Sequence, residues 1–278
     1  MKMKNLKLYL ISIGAIIKRD MKIFFRYPIN AIFSILEPVI WIAPVYFLAK
    51  SFQIGGKNIG FEQYAGTNDY MAYIVIGSII GSFISSVMWG MGFSLKEEMD
   101  TGVIESNWLT PIPIWIQLIG RSLFSLVITT INSVTTAFLI WILFGFNIGR
   151  GILSSIITLI PFLIALYGLG FGIASLVLIT NNANNIIDIS NYLLTTLSGQ
   201  NFPITVLPKY LMAISFALPL TYGFDAIRGI LLDTHTILPL NTERLILLIF
   251  MCFGITVGIQ ILNKVINYCK KIGNIGFH

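Results

Sequence analysis

Runs of apolar residues alternate with short polar breaks along the whole chain. The runs cover 29–49, 71–95, 118–146, 152–180, 186–197 with its continuation, and 245–263. Because about 20 apolar residues cross the hydrocarbon of a bilayer, the pattern predicts an all-α polytopic membrane protein with six transmembrane helices. The fifth run is the least regular: Asp188 stands near its start, Gly199-Gln200-Asn201 interrupts it, and a further apolar segment over 211–232 leaves a seventh span open. Ahead of the first run, Leu6, Leu10, Ile13, Ile17, Met21 and Phe24 recur at helical spacing, with Lys7, Lys18 and Lys22 on the other side. This is the pattern of an amphipathic interfacial helix over residues 1–27, followed by a membrane domain over 28–278.

The break between the second and third runs, SLKEEMDTGVIESNWLTPIP, carries Glu97, Glu98, Asp100 and Glu105. Each would cost roughly 2.5 to 3.5 kcal/mol at mid-bilayer, so the segment is expected to stand in water. Gly102 opens a turn, residues 103–109 suffice for about two helical turns, and Thr110-Pro111-Ile112-Pro113 stops the helix. A short rigid helix between two spans is a handle for another protein.

Two further polar breaks are expected as tight turns, an external one over 146–151 and an internal one over the asparagine-rich 181–185. Residues 199–240 read differently. Pro203, Pro208, Pro219 and Pro239 cut this stretch into apolar pieces of about 10 to 14 residues, too short to cross alone, which predicts re-entrant or interfacial helices. Asp225 and Arg228, three residues apart, share a helix face and are expected to neutralise each other. Gly77-x3-Gly81, Gly168-x3-Gly172 and Gly254-x3-Gly258 have the spacing of close helix packing.

Charge adds orientation. The net charge of +6 comes from cations gathered at the two ends, seven Lys and Arg before the first span against Asp20, and Lys264, Lys270 and Lys271 after the last. That arrangement argues against a nucleic-acid ligand and, by the positive-inside rule, puts both termini in the cytoplasm of a multi-pass protein of the cell membrane. An even number of spans follows, which favours six. Lys18-Arg19-Asp20 after the apolar start argues against a cleaved signal peptide. Cys252 is expected within the last span and Cys269 in the cytoplasmic tail, neither in a disulfide, and the isolated His235 and His278 suggest no metal site.

The chain holds no G-x-x-x-x-G-K-[ST] phosphate loop, so energy must come from a partner or an ion gradient. An ion-driven secondary transporter would show paired intramembrane charges, and an enzyme acting on lipid would need converging acid, base or metal ligands. Within the runs Glu37 stands out, about 12 Å into the first span. Three readings stand for it: a structural carboxyl beside the helix-bending Pro38, a group lining a transport route with Trp41 one turn on, or a span whose boundary is not at residue 29.

Taken together these residues resemble the membrane subunits of ABC transporters of the ABC-2 type, specifically ABC exporters. The family carries, between spans two and three, a coupling helix with a pattern near E-R-x-x-G-T-L-E-x-L-x-x-T-P, matched here by Glu98, Gly102, Ile104, Glu105, Thr110 and Pro111. Met99 and Val103 stand where Arg and Thr are usual. The run through Pro203, Pro208, Pro219, Asp225 and Arg228 is similar to the family's re-entrant extracellular helices between spans five and six. The resemblance implies a coupling helix over about 96–111, a re-entrant region over about 199–240 and a permease that works as a homodimer or with a related chain. It also implies separate ABC ATPase subunits that carry ATP and Mg, with no cofactor on this chain. The cargo implied is an amphiphile of the drug, lipid or peptide-like kind, with lipid-linked polysaccharide or teichoic acid as the alternative.

Overall fold

A computed structural model describes residues 2–52, 59–144, 151–180 and 182–272. Residues 146–150 of the expected external turn, Asn181 and His278 lie outside the described residues. Every regular element among the described residues is helical: α1 (Lys2–Arg26), α2 (Pro28–Ser51), α3 (Ile59–Ala65), α4 (Tyr70–Asp100), α5 (Val103–Trp108), α6 (Ile114–Phe144), α7 (Ile152–Thr180), α8 (Ala183–Leu197), a single 3-10 turn (Ile204–Val206), α9 (Lys209–Ala217), α10 (Pro219–Leu232) and α11 (Leu240–Ile272).

Proline and short polar side chains set the boundaries. Pro28 and Pro219 occupy first-turn positions, where a missing N–H costs nothing. Asp69 caps α4 by accepting from the Ala72 N–H at 2.8 Å. Pro208 immediately precedes α9, and Pro239 immediately precedes α11.

Four helices among the described residues, α4, α6, α7 and α11, are long and apolar enough to cross a membrane, and the pair α9–α10, bent by 87°, counts as a fifth only if taken together. The expected fifth span is thus not one straight helix. α8 has 15 residues, about 22 Å, and ends at Leu197 before the break that Gly199 makes with its φ of +83°. By contrast α4, with 31 residues or about 46 Å, is longer than a hydrocarbon layer of about 30 Å is thick, and its last turns carry Lys96, Glu97, Glu98 and Asp100. The asparagine-rich turn after α7 is shorter than expected, since α8 already begins at Ala183.

The core lies where α7 packs between α4 and α11, filled by Phe162, Phe171, Met88, Met91 and Leu166. Glycine sets the spacing between α7 and α11: a Cβ on Gly258 would come within 2.6 Å of the Gly168 carbonyl oxygen, and one on Gly168 would collide with the Gly254 backbone. Of the small-residue positions singled out in the sequence, Gly172 faces open space, and Gly170, between Val87 and Met91 of α4, takes its place.

α1 lies along α6. Tyr9 meets Trp115 and Phe24 meets Phe124, each with ring centres 6.0 Å apart, and Ile16 sits on Gly120. The apolar face expected for α1 therefore divides. Ile13, Ile17 and Phe24 turn partly toward the protein, whereas Leu6, Leu10 and Met21 remain exposed.

Candidate functional site

Three clusters of polar residues interrupt this apolar frame. The first surrounds α5. Gly102 has φ +68°, the left-handed conformation, and a Cβ there would meet nothing within 4 Å, so the backbone alone demands glycine. The helix occupies 103–108; residues 96–100 of the expected coupling segment belong to α4. Ile104 is buried beneath it, and the Lys270 ammonium of α11 lies 5.0 Å from the centre of the Trp108 ring. Outward it shows Glu105, Val103 and Leu109, the last 89% exposed. Thr110 and Pro111 are exposed in the link to α6, where the Gln117 amide donates to the Ile112 carbonyl at 3.2 Å.

Glu98 does not face water as its neighbours do. It is buried and paired with Arg121 of α6, whose guanidinium also donates to the Ser94 carbonyl at 3.2 Å and lies 3.7 Å from Glu97. Burial of that carboxylate is tolerated because the cation compensates it on site. Arg121 went unread in the sequence, where it passes for a stray charge at the edge of the third run.

The second cluster joins α8, α10 and α11. Arg228 is buried and donates to the carbonyls of Gly199 and Gln200, which close the C-terminal end of α8, while its guanidinium stacks on Tyr73 of α4. A cation there complements the negative pole of the helix. The expected Asp225–Arg228 ion pair does not form among the described residues: Asp225 instead accepts from the Ile237 N–H at 2.6 Å. Spacing on one helix face permitted the pair, but each side chain finds backbone partners in the other direction. Glu243, also buried, accepts from the Leu238 N–H at 3.1 Å, so two carboxyls hold the loop between α10 and α11. Arg244 donates to Thr158 at 2.9 Å and to the Ser154 hydroxyl at 2.6 Å, tying α11 to α7. Pro203 and Pro219 are buried in this region and Pro208 is exposed. Cys269 lies buried within α11 rather than in a tail.

The third cluster is a cleft of about 630 Å³ between α2, α4 and α6, closed at one end by Gln200 and Asn201. Glu37 and Trp41 line it from α2, Ser82, Ser85 and Trp89 from α4, Asn132 and Ser133 from α6. Glu37 is exposed toward this space, and α2 runs without interruption through Pro38. Trp89 also lines a second groove of about 630 Å³ bounded by Asp20, Tyr27, Glu97 and Arg121, so the two cavities adjoin at its indole. A further groove of about 660 Å³ between α4, α6, α7 and α10 is apolar throughout apart from three hydroxyls. Among the described residues no group of three or more His, Cys, Asp or Glu side chains is placed to hold a metal ion.

Helices of this length and order, with a polar helical hairpin after α4 and proline-punctuated short helices before α11, are those of a polytopic membrane protein. Residues 11–232 match the sequence profile of the ABC-2 type transporter family, and the chain belongs to that family. It is thus the permease component of an ABC transporter, a multi-pass membrane protein whose family membership implies association with an ABC ATPase subunit. No curated protein matches the sequence.

Proposed function

We propose that this chain is the permease of an ATP-driven exporter, with α5 as the coupling helix on which an ATPase subunit acts. The observation that carries this reading is the seating of α5. It displays Glu105, Val103 and Leu109, follows directly on α4, whose Glu98 is paired to Arg121 of α6, and has Lys270 of α11 over its Trp108. A push on α5 reaches all three helices as rigid bodies. Closure of two ATPase subunits on ATP would thereby change which side of the membrane the polar cleft faces.

In this reading both termini are cytoplasmic, α1 lies in the cytoplasmic interface with its cations at lipid phosphates, and α8 with the break after it completes a six-crossing arrangement. The turn and helices over 204–232 then dip into the outer leaflet without crossing. Two copies, or this chain and a related one, flank the pathway, and the cargo is an amphiphile moved out of the cytoplasm of the cell membrane's host. The cleft supports an amphiphile because it sets indole and aliphatic side chains beside hydroxyls and amides.

The experiment is reconstitution in nanodiscs. The purified chain alone is expected to hydrolyse no ATP, and turnover is expected to appear only when its ATPase subunit is added. ATP turnover by a preparation proven free of that subunit would contradict the proposal.

A further inference from the structure

Resting on the polar cleft as the transport route, we infer that the cleft selects organic cations. Among the described residues that line it, Glu37 is the one ionisable group, and no described Lys, Arg or His shares the space. Among the described residues no cation lies within ion-pair distance of it. An unpaired carboxylate within the membrane layer is costly, and such groups face water or a counter-charge supplied by what passes.

The surroundings favour a cation with an apolar body. Trp41 follows Glu37 by four residues and so stands on the same face of α2, about 6 Å along the axis. Trp89 lines the cleft from α4, and two indole faces are the strongest cation–π partners among side chains. Two of the hydroxyls across the cleft have already spent their protons, whereas those of Ser86 and Thr136 have no partner among the described residues. Ser82 donates to the Ile79 carbonyl at 2.7 Å and Ser85 to the Asn191 amide oxygen at 3.1 Å. What they turn toward a ligand is oxygen lone pairs, which attract positive charge and repel anions. Carboxylate, indoles and the Ser82 and Ser85 oxygens therefore agree in sign.

The test is equilibrium binding of two ions of matched shape and opposite charge, tetraphenylphosphonium and tetraphenylborate, to the full chain in nanodiscs of zwitterionic lipid, with protein-free discs subtracted. Saturable binding of the phosphonium that the borate does not displace is expected. Glu37→Gln should weaken it by about tenfold or more, Glu37→Asp should retain most of it, and Trp41→Ala should weaken it as well. Equal binding of the two ions, or no saturable phosphonium binding, would overturn the inference without recourse to any variant. So would unchanged phosphonium affinity in a monodisperse Glu37→Gln chain. Neither nucleotide nor ATPase is needed, so this measurement fails or succeeds independently of the role proposed for α5.

Discussion

The Arg228 guanidinium lies 3.5 Å from the centre of the Tyr73 ring. That stack leaves the two ends of its fork free to reach the Gly199 and Gln200 carbonyls, and Gly77 on α4 makes the approach feasible, since a Cβ there would strike both Arg228 and Gln200. Arg228→Lys keeps the charge but loses the planar stack and the two-carbonyl fork, with an expected loss of about 2 to 4 kcal/mol. Thermal unfolding in detergent should show it, and Gly77→Val should behave alike. Wild-type melting of Arg228→Lys would mean that charge alone matters at this junction.

Where α7 and α11 meet at glycine, a single methyl group has no room. Gly258→Ala should cost about 1 to 3 kcal/mol by overpacking against Gly168, whereas Gly172→Ala, facing open space, should be neutral or slightly stabilising. Comparing membrane levels and melting temperatures of the two variants checks this, and equal effects would contradict the close contact.

These contacts also mark what was legible in the sequence. Gly102, the prolines after Thr110 and the local density of acids announce α5, because each acts on backbone within a few residues of itself. Arg121 and Arg228 did not announce their partners: Glu98 is 23 residues from Arg121 and Gly199 is 29 from Arg228, and only the packing of separate helices brings them together. Asp225 was misread for a related reason. Three-residue spacing states that two side chains can meet, whereas the Ile237 N–H and the carbonyls closing α8 decided that they do not. The end of α8 was legible, since the apolar run stops at 197 and Gly199 reads as an interruption, and the helix ends at Leu197 just before it. Glu37 was visible as an anomaly, but the cleft it lines is built from three helices and has no local signature.

Orientation is open to direct labelling. α11 spans 33 residues, about 50 Å, so exposed His235 before it and exposed Lys271 at its end are separated by more than the hydrocarbon thickness. In a chain with Cys252 and Cys269 replaced by serine, His235→Cys should react with an impermeant thiol reagent in intact cells, and Lys271→Cys only after permeabilisation. Labelling of Lys271→Cys in sealed cells would reverse the arrangement of the termini.

The buried pair between α4 and α6 permits a separation of assembly from stability. Arg121→Ala leaves Glu98 without its cation and should cost about 3 to 5 kcal/mol, while the double change Glu98→Gln with Arg121→Met should recover most of that loss. Denaturation of the variants in detergent checks it. A double variant as unstable as Arg121→Ala would show that the destabilisation does not arise from the stranded carboxylate.

The coupling role of α5 is tested most directly by the affinity of the nanodisc-embedded chain for its ATPase subunit. Gly102→Asn keeps access to the left-handed conformation and should bind nearly as well as the wild type, whereas Gly102→Val, which is forced out of it, and Glu105→Lys, which reverses an exposed charge, should each lose at least about tenfold at normal membrane levels. Undiminished ATPase binding by both Gly102→Val and Glu105→Lys would contradict the account and leave α5 a plain connection between α4 and α6.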